Sequence, residues 1–419
     1  MWYNVSGDFK MKVVIISAHL KGEDKNRSDQ EILNLIDSLN MEAVRFYTQE
    51  LDEIKRVTYI GKGKITELKG YVADIDDVEA IVVNDDLTPL QFKILSDAFS
   101  LPVYDRTGII LEIFSINAQS KEARLQVEIA KLMYAKTRMV DKDANYSQVT
   151  SGRGHNKGEG EKKIDLDRSN FRVIISRKRE ELAKLKKQRQ TTRRLRKSND
   201  LPLIAIVGYT NAGKSTLLNR LIKYSHVKEN KMVLEENRLF ATLETSTRLI
   251  DFASYPTFLC TDTVGFIDRL PTTLVEAFKS TLEEVKEADL LIHVLDVSDP
   301  YFKVQKEITE KTLKEIGVNN IPTIYLYNKF DLLNKYPFIP DEYSLYTSFK
   351  DDSNLDEVLD LLFKTLFKGV EEKEVFLPYE KSLFLLKKEA YVTKVSETEE
   401  GYLVRGFFKD DVLKKWGLF

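Results

Sequence analysis

Short apolar runs alternate with helical periodicity in the first hundred residues. The runs at 13–16, 80–83 and 102–104 have the length of buried strands, and the apolar positions between 32 and 39 recur at the spacing of a helix. Strands that alternate with helices are typical of a parallel sheet covered by helices. The pattern therefore predicts a small parallel α/β domain over 1–108.

Two helical segments follow. From 109 to 139 the apolar positions keep helical spacing without a proline, which predicts one long helix. These positions include Leu125, Ile129, Leu132 and Met133. A polar, Gly-rich loop at 151–160 leads into a second helix with a thin apolar stripe, formed by Ile174, Ile175, Leu182 and Leu185. Two long helices joined by a loop predict an antiparallel hairpin over 109–198.

The rest of the chain divides at Pro202 and again near 368. A second α/β pattern runs to about Phe367, and short apolar runs near 375–377, 391–395 and 402–408 read as strands. The predicted fold class is thus multidomain α/β. It comprises the amino-terminal parallel domain, the helical hairpin, a phosphate-loop domain over 199–368 and a small β-rich carboxy-terminal domain over 369–419.

A buried-strand run, 203–207, leads directly into a glycine loop and then a helical pattern. The loop reads Gly208, Tyr209, Thr210, Asn211, Ala212, Gly213, Lys214 and Ser215, and Thr216 follows it. This is the phosphate-loop motif in the strand–loop–helix context that it requires. Backbone N–H groups and the helix amino terminus are expected to hold phosphate oxygens. We expect Lys214 to contact the β and γ phosphates and the Ser215 hydroxyl to ligate Mg²⁺.

A second strand ends in an acidic motif, Asp262, Thr263, Val264 and Gly265. Its position predicts that the Asp262 carboxylate holds a Mg²⁺-bound water and that the Gly265 N–H senses the γ-phosphate. A third strand ends in Asn328, Lys329 and Asp331. Two guanine N–H donors match the Asp331 carboxylate, so the motif predicts GTP rather than ATP, by about 10³-fold.

The remaining nucleotide contacts carry a weaker signal. Asn328 is expected at the O6/N7 side of guanine and the Lys329 stem over its ring, while Thr347 and Ser348 resemble the loop that closes over the base. Between the first two motifs, a switch segment should supply a third Mg²⁺ ligand. We choose Thr242, flanked by Phe240, Ala241 and Leu243, with Thr245 and Thr247 as alternatives. Lys214, Thr242 and Gly265 are the predicted catalytic residues.

Two residues bear on the rate of hydrolysis. Phe266 stands where Ras-like enzymes carry a water-orienting glutamine, which predicts slow intrinsic turnover raised by a partner or a monovalent cation. Asn211 offers a side-chain oxygen that is suited to hold K⁺ between the phosphates, and an ordinary loop-stabilising hydrogen bond is the alternative. Equal hydrolysis in K⁺ and Na⁺ buffers would exclude the K⁺ role.

Composition limits the partners and the cellular compartment that are expected for the chain. The chain has 419 residues, with 64 Lys+Arg against 66 Asp+Glu, so any site for a polyanion must come from local segregation of charge. The apolar runs are far shorter than the ~20 residues of a membrane helix. Cys260 lies in an apolar run and is expected to be a buried strand residue. No secretory signal is recognisable, and Met11 is a possible natural start after a short leader. We expect a cytoplasmic monomer.

Several stretches outside the general nucleotide motifs carry a family likeness. Residues 58–68, 104–114 and 123–130, together with the loop 208–216 and the segments 239–243 and 262–266, resemble the HflX family of translation-factor-like GTPases. The resemblance covers nearly the whole chain. It implies binding to the large ribosomal subunit, stimulated hydrolysis there, dissociation or rescue of stalled ribosomes, and Thr242 as a Mg²⁺ ligand. The interhelical loop departs from the family because it lacks that family's proline.

The second hairpin helix carries the basic charge that a ribosomal RNA partner would require. Lys and Arg recur from 168 to 197, where Glu180 and Glu181 are the only acids. The candidate RNA contacts are Arg153, His155, Lys157, Arg177, Arg189 and Arg193. A solvated helix beside an acidic neighbour is the alternative for this run, and a flexible connector is the alternative for the loop.

Two other functions stay open at this point. One is a GTP-regulated RNA-binding or ribosome-assembly scaffold without splitting activity. The other is ATP-dependent phosphotransfer, which equal binding of ATP and GTP would favour.

Overall fold

The computed structural model describes residues 10–22, 24–75, 77–138, 159–197, 201–227, 240, 246–269, 285–350 and 354–418. The described residues up to Arg189 form one compact unit, and those from Gln190 onward form a second. No helix among the described residues is long and apolar enough to cross a membrane.

The first unit begins with a four-stranded sheet in the order β2-β1-β3-β4. Its strands are β1 (Met11–Leu20), β2 (Met41–Leu51), β3 (Ala80–Val83) and β4 (Val103–Asp105). The helices α1 (Lys25–Asp37), α2 (Lys62–Ala73) and α3 (Pro89–Phe99) alternate with them. All three pairings are parallel, which confirms the predicted parallel α/β domain. Strand β3 is buried throughout, as its continuous apolar run requires.

The single helix predicted from 109 to 139 is wrong, because the chain forms two helices there. Helix α4 (Arg106–Asn117) ends at Ala118, which has an extended backbone, and α5 (Lys121–Thr137) begins after Ser120. The Ser120 hydroxyl accepts a hydrogen bond from the Ala123 N–H at 3.1 Å and caps the new helix. Apolar periodicity continues across the break, so it hides the cap.

A third long helix, α6 (Glu159–Lys197), lies antiparallel to α5. Its start at Glu159 places the last two residues of the predicted Gly-rich loop inside the helix. The two helices share an apolar seam of Leu125, Ile129, Ile175 and Leu182. Ion pairs flank the seam, Lys178 with Glu128 at 2.5 Å and Lys121 with Glu181 at 2.7 Å. The charges are thus exchanged in both directions, since Glu128 of α5 neutralises one cation of α6 and Lys121 of α5 neutralises one acid of α6.

The second unit contains a six-stranded sheet in the order β10-β9-β8-β5-β7-β6. Its strands are β5 (Leu203–Gly208), β6 (Ser246–Ile250), β7 (Phe258–Asp262), β8 (Leu290–Asp296), β9 (Thr323–Asn328) and β10 (Ser344–Tyr346). Within this sheet the edge pair of β6 with β7 is antiparallel, and the other described pairings are parallel. The helices are α7 (Lys214–Tyr224), α8 (Phe302–Glu315) and α9 (Leu355–Leu366), with a 3-10 turn at Phe330–Leu332.

One face of this sheet forms the main core of the unit together with α7 and α9. Cys260 lies within that core and is fully buried, as the sequence predicted. Burial raises the pKa of its thiol well above the usual range, because the thiolate would lose its hydration. Cys260 is therefore an inert packing residue.

A three-stranded antiparallel sheet in the order β11-β13-β12 completes the chain. Its elements are β11 (Glu372–Pro378), α10 (Leu383–Lys387), β12 (Tyr391–Glu397), β13 (Gly401–Phe407) and α11 (Asp410–Trp416). Val375, Leu377, Leu386, Val404 and Phe408 form a small core of its own. This arrangement confirms the predicted β-rich carboxy-terminal fold.

The first residue of β12 packs into the core of the nucleotide-binding sheet. The ring of Tyr391 stacks on Tyr255 and on Phe363 of α9, with centroids 6.3 and 5.7 Å away. One carboxylate oxygen of Asp360 accepts hydrogen bonds from the hydroxyls of both Tyr255 and Tyr391, each at 3.0 Å. Close by, Lys388 pairs with Asp251. The two sheets therefore share one set of aromatic and polar contacts.

Replacement of Asp360 should destabilise both sheets together. Asp360→Ala leaves two partly buried tyrosine hydroxyls without their charged acceptor, so we expect the free energy of unfolding to fall by about 2 kcal/mol. Urea unfolding followed by circular dichroism measures this change. Asp356→Ala, on the exposed first turn of the same helix, is the matched control and should cost about 0.5 kcal/mol. Equal losses in the two variants would contradict the assignment.

Candidate nucleotide-binding site

The loop between β5 and α7 requires glycine at both of its ends. Gly208 and Gly213 have φ angles of 149° and 103°. A Cβ at Gly208 would lie 2.3 Å from the Val294 carbonyl oxygen, and one at Gly213 would lie 2.2 Å from the Asn328 side-chain nitrogen. Helix α7 then starts at Lys214, and Gly213 supplies no side chain to cap it. Its first N–H groups are consequently available to an anion.

Lys214 is a buried cation at the point where this loop enters α7. Its side chain is only 6% exposed, and its ammonium donates to the Tyr209 carbonyl oxygen at 2.6 Å. Burial lowers the pKa of Lys214 to about 8, and the negative charge of Asp262 opposes that shift. A buried ammonium of this kind is stabilised by a bound anion, which is the role predicted for a lysine on phosphate.

Ser215 and Asp262 provide two oxygens at one point beside the loop. The Ser215 hydroxyl donates to one Asp262 carboxylate oxygen at 2.8 Å, and the Thr263 N–H donates to the other at 2.9 Å. The described residues contain no cluster of three His, Cys, Asp or Glu side chains. A hydroxyl, a single carboxylate and phosphate oxygens form the hard, oxygen-rich donor set that Mg²⁺ prefers.

The segment after Asp262 lies against the phosphate loop. Thr210 N–H donates to the Phe266 carbonyl oxygen at 2.9 Å, and Phe266 N–H donates to the Gly208 carbonyl oxygen at 3.1 Å. A Cβ at Gly265 would lie 2.6 Å from the Thr210 methyl group and 3.2 Å from the Lys214 ammonium. Only glycine fits there. The structure therefore places Gly265 close to Lys214, and both are among the predicted catalytic residues.

At the other end of the loop, Asn328 ties two predicted motifs together. Its side-chain nitrogen donates to the Ala212 carbonyl oxygen at 2.8 Å, and its side-chain oxygen accepts from the Phe349 N–H at 3.2 Å. Lys329 has a φ of 63° and pairs with Asp296 at 2.6 Å. Asp331 lies exposed in the following 3-10 turn, where its carboxylate is accessible.

Three of the residues predicted to contact the nucleotide have buried hydroxyls. Those of Thr347, Ser348 and Thr210 are buried and have no hydrogen-bond partner within the described residues. Thr347 is held in place by its N–H, which donates to the Tyr327 carbonyl oxygen at 2.9 Å. Buried polar atoms normally find partners, so these three mark positions where a polar ligand is expected.

Some predicted residues lie outside what the structure describes. Ala241, Thr242 and Leu243 are among them, as are Arg153, His155 and Lys157, while for Arg189 and Arg193 only the helical backbone is described. Phe240 is described and is buried with a φ of 58°. Sequence reasoning missed Asp296, although an aspartate at the end of an apolar strand was the available signal. It also missed the contact that Tyr209 makes with Asp268.

Three family models match successive parts of the chain. The model described as GTP-binding GTPase N-terminal matches residues 26–115, and the one described as GTP-binding GTPase Middle Region matches 117–196. The model described as 50S ribosome-binding GTPase matches 203–329. The boundaries of this third match enclose the phosphate loop and end within the Asn328 motif.

Individual proteins resemble the chain over most of its length. GTPase HflX of Caldanaerobacter subterraneus subsp. tengcongensis is 42% identical over 383 residues, which is 90% of this chain and 87% of that protein. GTPase HflX of Lacrimispora saccharolytica is 36% identical over 395 residues, 93% of this chain and 91% of that protein. Among solved structures, a GTP-binding protein from Sulfolobus solfataricus in complex with GDP aligns with a TM-score of 0.44 at 22% identity, covering 86% and 99% of the two chains.

Proposed function

The chain belongs to the HflX family of GTPases, and from that premise we propose that it couples GTP hydrolysis to binding the large ribosomal subunit and to splitting or rescuing stalled ribosomes. GTP hydrolysis itself follows from family membership. The observation that carries the nucleotide site is the buried Lys214 ammonium beside a glycine loop. Ribosome binding and splitting are the proposed part.

The site residues divide the chemistry between them. Lys214 and the first N–H groups of α7 hold phosphate oxygens, and Gly265 faces the γ-phosphate. Ser215 and Asp262, with Thr242 of the switch segment, would hold Mg²⁺, which would supply positive charge against the negative charge that develops on the phosphates. At the base, Asp331 selects guanine and Lys329 covers the ring, held in place by its ion pair with Asp296.

Slow turnover by the isolated chain is part of the proposal. The Phe266 side chain is only 2% exposed and carries no group that can orient a water molecule. We propose that a partner supplies the missing function, and the ribosome is the proposed source. K⁺ is a second candidate, because Asn211 lies exposed at a φ of 62° in the middle of the phosphate loop.

The hairpin supplies the proposed surface for ribosomal RNA. Arg172, Arg177 and Lys184 of α6 are exposed, whereas Lys178 pairs with Glu128 across the seam. Exposed cations spread around a long helix suit contact with RNA phosphates, and such contact weakens steeply with salt. The ribosomal partner places the protein in the cytoplasm, where we propose that it acts as a monomer.

Co-sedimentation with large ribosomal subunits tests this function. We expect strong binding with a non-hydrolysable GTP analogue and weak binding with GDP, and we expect intact ribosomes to separate into subunits on a sucrose gradient. Equal binding in both nucleotide states would support the alternative, an RNA-binding or assembly scaffold without splitting activity.

Charge reversal locates the surface. Arg172→Glu combined with Arg177→Glu should weaken ribosome binding by about tenfold and flatten its salt dependence. The matched control is Lys311→Glu with Lys314→Glu, two exposed positions on α8. If both pairs weaken binding equally, the hairpin is not the contact surface.

A further inference from the structure

We propose that Tyr209 is a positioning residue of the GTPase reaction, whose hydroxyl fastens the segment Gly265–Asp268 onto the phosphate loop so that it receives the γ-phosphate. The inference rests on the GTPase activity and not on ribosome binding. Its test uses the isolated chain, so its failure would leave the ribosomal proposal untouched.

Three of the hydrogen bonds between described residues join the two segments. Two join backbone groups, Thr210 N–H to the Phe266 carbonyl oxygen and Phe266 N–H to the Gly208 carbonyl oxygen. The third runs from the Asp268 N–H to the Tyr209 hydroxyl oxygen at 2.8 Å. Tyr209 alone contributes a side chain to this set. Its bond can therefore be removed without altering the backbone.

The hydrogen bond to the Tyr209 hydroxyl lies where the chain turns away from the phosphate loop. Arg269 follows with a φ of 53°, and its N–H donates to the Asp268 side chain at 2.9 Å. The Tyr209 ring is only 7% exposed and belongs to the phosphate loop itself, so it is a fixed anchor and not a mobile surface group. The Tyr209 bond is thus the last of the three before the chain changes direction.

These hydrogen bonds control the position of Gly265, the residue that is expected to meet the γ-phosphate. Phe266 cannot help to bind a water, because its N–H already donates to Gly208 and its ring is buried. Gly265 then remains the residue of this segment that faces the Lys214 ammonium. Since Gly265 is bonded directly to Phe266, loosening of the segment at Asp268 would leave two backbone hydrogen bonds at Phe266 to hold Gly265 against the phosphate loop and would make its position less fixed.

The expected effect follows from the strength of one hydrogen bond. A neutral hydrogen bond contributes about 0.5–1.5 kcal/mol, so its loss reduces the fastened population relative to the loose one by about 2- to 13-fold. A ligand that needs the fastened form loses apparent affinity by at most that factor, whereas a ligand indifferent to it does not. GTP carries the γ-phosphate and GDP lacks it.

Tyr209→Phe removes the hydroxyl and keeps the ring. Affinities for fluorescent GDP and for a fluorescent non-hydrolysable GTP analogue are measured with the isolated protein. We expect the affinity for the GTP analogue to fall about 3- to 10-fold, that for GDP to stay within about twofold, and single-turnover hydrolysis to slow. Retained GDP affinity also shows that the variant is folded.

Tyr325→Phe is the matched control. It removes a hydroxyl of β9 that donates to Glu310 of α8 at 3.0 Å, and Tyr325 is not part of the phosphate loop. The substitution should therefore leave the GTP-to-GDP affinity ratio unchanged. The proposal is overturned if Tyr209→Phe leaves the ratio unchanged, raises it, or weakens both nucleotides equally. It is also overturned if Tyr325→Phe changes the ratio as much.

Discussion

Lys214→Ala is expected to abolish nucleotide binding while the chain stays folded. The variant loses the charge-assisted hydrogen bonds between the ammonium and phosphate oxygens. Two such bonds at about 1.5–3 kcal/mol each correspond to a loss of affinity of about 10² to 10⁴. Isothermal titration with GDP and with a GTP analogue measures that loss. Lys223→Ala, at the exposed end of the same helix, is the control and should bind both normally.

The fold should tolerate the loss of Lys214 because the ammonium is buried at a cost. Its pKa of about 8 lies below the ordinary value of 10.5, so the unfolded chain binds more protons between these two pH values. The nucleotide-free protein should therefore gain stability as pH rises from about 8 to 10.5, by about 3 kcal/mol at most. Lys214→Ala should lack this gain.

Paired unfolding curves of the wild type and Lys214→Ala across that pH range isolate the effect, because the other titrating groups are shared. A parallel dependence in the two proteins would show that the ammonium is not desolvated. A variant that binds GDP with normal affinity would remove Lys214 from the phosphate site altogether.

Asp331→Asn is expected to change the preferred base from guanine to xanthine. The Asp331 carboxylate is expected to accept hydrogen bonds from two guanine N–H groups, whereas an amide offers one donor and one acceptor. Xanthine replaces the guanine amino group with a carbonyl oxygen, which matches the new donor. The loss for GTP should reach about 10³-fold, since the amide keeps only one of the two hydrogen bonds and sets its own N–H donor against a guanine N–H donor.

Competition between GDP and xanthosine diphosphate against a fluorescent nucleotide measures this preference. Asp341→Asn, an exposed position in the loop that follows, serves as the matched control and should keep the guanine preference. If xanthine nucleotides bind the Asp331→Asn variant no better than they bind the wild type, the carboxylate does not read the base.

The sequence predicted best where short-range chemistry determines structure. The strand, loop and helix around Gly208 and Lys214 could be read directly, because the glycine spacing and the apolar run are both local. Asp262, Gly265 and Asn328 each follow an apolar strand, and the carboxyl ends of parallel strands meet at one edge of a sheet. Their convergence near the phosphate loop follows from that rule.

What escaped prediction depends on capping or on distant partners. The break before Ser120 contains neither proline nor glycine, so apolar periodicity continued across it. Strand β2 was not predicted, because its half-exposed positions mix charged and apolar residues. The bond between Asn328 and Ala212 joins residues 116 positions apart, and no local pattern signals it. The same holds for Tyr209 and Asp268.

The packing of Tyr391 against Phe363 limits how the amino-acid sequences of such chains can change during evolution. A substitution at Asp360 removes the hydrogen-bond acceptor of two tyrosine hydroxyls at the same time. Tyr255 lies more than 100 positions from Asp360 in the sequence, and Tyr391 lies 31 positions from it. These positions must therefore change in step. A recombination event that brings in a foreign carboxy-terminal segment would have to bring a matching α9 with it, and inheritance should keep the two together.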